Sequence, residues 1–140
     1  MIHILEKGCL DTCGKQGKWE YYLNDILIRE IEYMNNKEDG RFLLYHTNGV
    51  LAIKSQCTKG LLDGVWEEYY ETGKLKEISV YRQGKYEPIS FYTEDGKCLL
   101  MAGTGKRFET LGKQQSVTYE QYYKNGVFLS ERCIDRNYNR

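Results

Sequence analysis

The residue types able to do chemistry in this 140-residue chain are sparse: five cysteines, two histidines and one short glycine-rich stretch. Cys9 and Cys13 could open a metal site, but no second pair at the spacing of a zinc module follows them. Cys57 stands eight residues after Gly49, the place Tyr81 takes after Gly73, and Cys98 follows Gly96 as Leu75 follows Gly73. Both fall in columns otherwise apolar and are expected to pack as small hydrophobes. The odd cysteine count argues against a disulfide framework. His46 lies in the turn segment Tyr45-His-Thr-Asn-Gly49, and neither it nor His3 is spaced to serve a thiol nucleophile as base. Ala102-Gly-Thr-Gly-Lys106 partly resembles a phosphate loop, but it lacks the full glycine-to-lysine spacing and a following Ser or Thr. The expectation is a chain that is not an enzyme, with no catalytic residue, no metal site, no cofactor and no small-molecule substrate.

The acidic run Glu67-Glu68-Tyr-Tyr-Glu71 suggests contact with another protein instead. Trp66, Glu67, Tyr69, Glu71, Lys74 and Lys76 gather amphipathic rings and both signs of charge around one turn. Tyr and Trp anchors supply binding energy, and charges at a rim supply specificity and on-rate. These six are the candidate partner-binding residues. The competing reading is a solvated strand whose glutamates face Lys74 and Lys76 across a hairpin.

A repeat positions them. An aromatic is followed four residues later by glycine at Tyr45/Gly49, Tyr69/Gly73, Tyr92/Gly96, Phe108/Gly112 and Tyr122/Gly126. Gly17-Lys-Trp19, Gly40-Arg-Phe42 and Gly64-Val-Trp66 place a second aromatic three residues before Tyr22, Tyr45 and Tyr69, so the first units recur every 23 or 24 residues. At such a period each unit stacks on its neighbours. Val65 to Tyr70 reads as a strand, Thr72-Gly73 as a tight turn, Leu75 to Tyr81 as the return strand and Gln83-Gly84 as the next turn. Thr47-Asn48-Gly49, Glu94-Asp95-Gly96 and Lys124-Asn125-Gly126 read as the same turn, and Asn24-Asp25 as a shorter one. Asp39-Gly40 and Asp63-Gly64 read as turns between repeats, and Gly17 to Asn36 as two strands.

The predicted fold class is all-β: an elongated, twisted antiparallel meander of about five or six tandem β-hairpins, largely one layer thick. Pro88 is expected where one strand ends and another begins. Turn-glycine spacing shortens to 16 and then 14 residues after Gly96, which predicts shorter strands in the last two hairpins. The single domain divides into a lead-in over 1–16, hairpin repeats over 17–131 and a frayed tail over 132–140.

Composition agrees with a thinly covered sheet. Thirteen tyrosines stand against four phenylalanines, and a tyrosine offers an apolar face with a polar rim. Twenty basic and twenty acidic residues cancel and interleave, which argues against nucleic acid as partner. No apolar run is long enough to span a bilayer, Met1 to Leu5 is too short for a signal peptide, and no basic amphipathic helix suggests a membrane surface. A cytoplasmic location is expected.

The pattern of Gly64, Trp66, Tyr69, Gly73, Lys74, Leu75 and Glu77 resembles the variant MORN repeat of bacteria. The resemblance covers roughly 17–131, strongest over 40–84 and weakest around 87–112. Several such units in one small protein resemble the family labelled as the antitoxin of toxin–antitoxin systems. That resemblance implies a β-hairpin sheet, protein-binding or membrane-associated scaffolding, and no cofactor. The expected function is a non-enzymatic module that binds another protein, a toxin or effector, and neutralises it. Two alternatives stand beside it: a scaffold that self-associates or docks at membranes, and a phage or mobile-element inhibitor of a host defence enzyme.

Overall fold

Two kinds of turn alternate along the chain, and each asks for its own residues. Asn35-Asn36, Lys59-Gly60, Gln83-Gly84, Ala102-Gly103 and Asn125-Gly126 are pairs in which both residues have positive φ. This is the backbone of a two-residue hairpin whose twist matches that of its strands. At the other ends of the strands, His46 to Val50, Tyr70 to Lys74 and Thr93 to Lys97 form longer loops closed by the same two backbone bonds, with glycine as the fourth residue. Asn24-Asp25 is a short turn among them, as its sequence suggested.

The computed structural model describes residues 2–112 and 115–138. Its strands are β1 (Ile4–Asp11), β2 (Gly14–Leu23), β3 (Ile26–Met34), β4 (Lys37–Tyr45), β5 (Leu51–Thr58) and the two-residue β6 (Leu61–Leu62). They continue as β7 (Gly64–Tyr69), β8 (Leu75–Arg82), β9 (Lys85–Tyr92), β10 (Cys98–Met101), β11 (Thr104–Leu111), β12 (Gln115–Lys124) and β13 (Val127–Tyr138). All belong to one antiparallel sheet in chain order, with β6 paired only to β5. The all-β hairpin meander is therefore the observed fold, and Gly17 to Asn36 is strand, turn, strand.

A β-bulge recurs at one place in the repeat. Ile28, Ala52, Lys76 and Leu99 are each the extra residue on a return strand just after a long-loop turn. Bulges bend a strand and raise its twist, so this column coils the sheet as it grows. The glycines at 40 and 64 belong to irregularities too. Gly40 lies inside β4 opposite the register shift at Glu32, and Gly64 opens β7, with φ of 114° and 128°. The turns expected at Asp39-Gly40 and Asp63-Gly64 are instead at Asn35-Asn36 and Lys59-Gly60. Bulge and turn both need positive φ, and glycine serves either.

Three further expectations are corrected. Pro88 is in the middle of β9, buried opposite Ser79, where a register shift spares the sheet its missing N–H. The late strands are not short throughout: β10 has four residues, but β12 has 10 and β13 has 12. Asn125-Gly126 lies in the row of short turns, its Gly126 N–H bonded to the Gly103 carbonyl, so the spacing from Gly112 spans one strand rather than a hairpin. The segment from Arg132 is paired to β12 as far as Tyr138, and residues 139–140 lie outside the described residues. Likewise the lead-in is a paired strand: β1 joins β2, and Gly8 leaves room for the Trp19 ring, which a Cβ there would overlap.

Burial concentrates in two clusters. Trp19, Tyr21 and Ile31 pack with Ile28, Tyr33 and Phe42; Phe91, Leu100 and Tyr123 pack with Tyr86, Leu99 and Phe108. In a flat sheet, strands three apart lie about 14 Å from one another. Yet the Tyr86 and Tyr123 rings, on β9 and β12, have centroids 6.4 Å apart. The short β10 lets β9 and β11 approach, and the sheet curls toward this inner face.

Gly73 reaches φ 86° at the best-formed long loop, with nothing nearer than Val50 to a side chain added there. Gly73→Val is expected to cost about 1–2 kcal/mol, the strain of a left-handed β-branched residue. Urea denaturation of the variant against the parent measures it; an unchanged midpoint would remove the turn assignment.

Candidate partner-binding face

Alternation along the strands sends Trp66 and Glu68 of β7, Glu77, Ser79 and Tyr81 of β8, Tyr86 of β9, Arg107 and Glu109 of β11, and Tyr123 of β12 to the inner face. Rings run across it in a chain. Phe42 stacks on Trp66 at 6.5 Å, Trp66 meets Tyr81 at 5.4 Å and Tyr81 meets Tyr86 at 5.5 Å with tilted rings, and Tyr123 meets Phe128 edge-on at 5.7 Å. Together with the Tyr86–Tyr123 contact they make one ladder with rings from six strands.

Beneath the ladder lies a buried ionic network. The Arg107 guanidinium donates to Glu77 at 2.9 Å, to Gln121 at 2.7 Å and meets Glu109 at 2.7 Å. Glu77 also accepts from Ser79 at 2.8 Å and from the Tyr86 hydroxyl. Glu77 is 2% exposed and Arg107 8%. A charge so placed is stable only with a partner, and here each has one. Burial, reinforced by the Glu77 charge, pushes the phenols of Tyr81 and Tyr86 upward, so both stay protonated. Trp66, Glu68, Tyr81, Tyr86, Glu109, Gln121 and Tyr123 surround a hollow of about 400 Å³ over this network. Glu68, Glu77, Tyr86, Arg107 and Glu109 are each already bonded to another group.

Elsewhere a second motif recurs. The hydroxyls of Tyr22, Tyr69 and Tyr122 donate to the carboxylates two residues earlier, Glu20, Glu67 and Glu120. Glu120 collects the most partners, with Lys106 at 3.3 Å and Arg132 at 2.8 Å as well. The Tyr122 hydrogen bond first, then Arg132 and Lys106, outweigh the cost of covering the carboxyl and hold it down at about 2. The folded value lies below the unfolded one, so this contribution is present above the usual carboxylate range and is lost as pH falls from about 4.5 through about 2. Glu120→Gln is expected to flatten that acid limb in a plot of melting temperature against pH. An unchanged limb would mean the cluster is open in solution.

The structure distributes the six residues first singled out over three places. Trp66 belongs to the inner-face ladder, and Lys76, the bulge residue, reaches Glu68 at 3.3 Å beside it. Glu67 and Tyr69 bond to one another at 2.7 Å, Glu67 lining a separate depression with Val65 and Arg41. Glu71 and Lys74 sit in the turn, where the Glu71 carbonyl accepts from Asn48 and Lys74 reaches the Glu94 carbonyl. The sequence reading missed Glu77, Tyr86, Arg107, Glu109, Gln121 and Tyr123. One signal was available: Gly105-Lys-Arg107 repeats the spacing of Gly64-Val-Trp66, which sets Arg107 in the tryptophan column. Cys57 is buried as its column implied, and burial pushes its thiol up to about 11. Cys9 and Cys13 are exposed, and among the described residues no group of histidines, cysteines and carboxylates is arranged to hold a metal.

Residues 62–83, which run through β7 and β8, match the MORN repeat variant. The central hairpin is thus a MORN-variant unit in a chain of similar hairpins, and a repeat of this kind points to a protein-binding or membrane-associating module. A comparison with curated proteins found no match to this chain. No helix among the described residues is long and apolar enough to cross a membrane.

Proposed function

We propose that the chain is a non-enzymatic protein-binding module whose inner face grips a toxin or effector protein and neutralises it. The ring ladder from Phe42 to Phe128 is the observation that supports this reading most. Its central rings are half-buried beside a charged hollow, the mix of amphipathic anchor and polar surround that binding hot spots use. Trp66 and Lys76 of the central hairpin belong to this contact set. Catalysis fits the geometry less well, since Glu77 and Arg107 are locked to one another rather than poised to move a proton.

The test is capture with the full chain, repeated with Glu109→Arg on the inner face and Glu67→Arg away from it. The reading expects one stoichiometric protein, lost with Glu109→Arg and kept with Glu67→Arg, whose toxicity on expression is relieved by the parent chain. Loss with Glu67→Arg alone would move the contact to the other face. A captured protein whose toxicity is unchanged would overturn neutralisation.

A second reading has its own observation. β1 and β13 are both edge strands, and they expose Ile4, Leu5 and Leu10 on one side and Val127, Leu129 and Ile134 on the other. Unpaired edges with apolar residues can add a further strand, which favours self-association edge to edge. Sedimentation over a range of concentrations distinguishes the two: growth without a partner supports the scaffold.

A further inference from the structure

The first repeat contains a cation held by its own rings. Lys15 Nζ lies 4.4 Å from the centroid of Trp19, 5.1 Å from Tyr21 and 5.2 Å from Tyr33, and donates to the Tyr21 hydroxyl at 2.8 Å. Glu6 stands 3.5 Å away. The tyrosine hydrogen bond raises the affinity of this ammonium for its proton. Rings attract cations through the negative potential of their faces, most strongly where water is partly excluded.

The third repeat builds a similar frame. Trp66 follows Gly64 as Trp19 follows Gly17, and Trp66 meets Tyr81 at 5.4 Å as Trp19 meets Tyr33 at 6.3 Å. Among the described residues, no lysine or arginine of the chain lies over Trp66 or Tyr81. The hollow there is lined by three carboxylates, Glu68, Glu77 and Glu109, against the single guanidinium of Arg107. Glu77 is fully engaged, but the side chains of Glu68 and Glu109 are 26% and 38% exposed and each has one cationic partner. A carboxylate can accept several hydrogen bonds. Arg107 lies 5.5 Å over Tyr86, so the face already accommodates one guanidinium. Its Nε has no acceptor but is shut from solvent, so it offers no contact to a group entering the hollow.

We propose that this hollow receives one lysine or arginine side chain of the partner protein, flanked by Trp66 and Tyr81 and bound by Glu68 and Glu109. The proposal rests on the protein-binding reading and names the group the partner presents. An anion is disfavoured, because it would meet the carboxylates while both ends of the Arg107 guanidinium are occupied.

The probe is Nα-acetyl-arginine methylamide, titrated into the isotope-labelled full chain beside its uncharged citrulline counterpart. The expected result is a saturable shift of the Trp66 indole and Gln121 amide signals with the arginine probe and none with citrulline. Glu68→Gln with Glu109→Gln is expected to weaken binding by about tenfold or more. Both residues are partly exposed, and Glu109→Gln alone gives a second reading if the pair disturbs folding. Equal response to citrulline, shifts centred on Glu67 and Glu71, or binding kept by the Gln variants would overturn the proposal. Shifts with phosphatidylcholine vesicles but not with the arginine probe would overturn it in favour of a lipid headgroup. If the probe fails while a protein is still captured, the cation site falls and the binding module stands. If the probe binds and no protein is captured, the reverse holds.

Discussion

Arg107→Ala is expected to lower stability by about 3–5 kcal/mol, because it strands the Glu77 carboxylate, 2% exposed, without its counter-charge. Glu77→Ala should cost less, because the guanidinium keeps Glu109 and Gln121. The double replacement Glu77→Leu with Arg107→Met should be far milder than the sum, since no buried charge remains. Urea denaturation of the four proteins at neutral pH closes the cycle. A single Arg107→Ala loss below about 1 kcal/mol, the range of exposed pairs, would show that the curl over this network is absent in solution.

Phe91→Ala is expected to cost about 3–5 kcal/mol as well, through the cavity it leaves. Phe91 is 2% exposed, pairs with Leu100 across β9 and β10, and meets the Phe108 ring at 6.0 Å. Trp66→Ala should cost less, because that larger ring is only half-buried. Repeat proteins couple mainly through neighbouring units. Phe91→Ala should therefore speed amide hydrogen exchange in β9 to β12 more than in β2 to β4. Uniform acceleration over the whole sheet would contradict the neighbour-only picture.

The contrast between these two rings shows what the sequence could carry. The phase of Trp66 and Gly73 is local: a turn needs positive φ and a strand needs alternation, so hairpins and central strands were legible. Gly40 and Gly64 were misplaced because bulges make the same demand as turns. The row to which Asn125-Gly126 belongs depends on counting strands, and the four-residue β10 upset the count. The site was harder still. Glu77 and Arg107 are 30 residues apart and meet only because the sheet curls. Curling depends on the sum of bulges and on one shortened strand, which no local pattern states. Trp66 was legible as an anchor because its ring type and column announce it; Gln121, an ordinary polar residue in a strand, announces nothing.

The meander has a mechanical consequence. Its first and last strands are the two margins of one sheet, each bonded along a single side. A load applied to the chain ends pulls these margins outward, across the strand direction. The backbone bonds then open pair by pair, like a zip, instead of resisting together in shear. Such a sheet yields from both margins inward at low force and leaves the central hairpins until last, so the hairpin of Trp66 and Glu77 outlasts the outer strands, and Arg107 on β11 parts from it first.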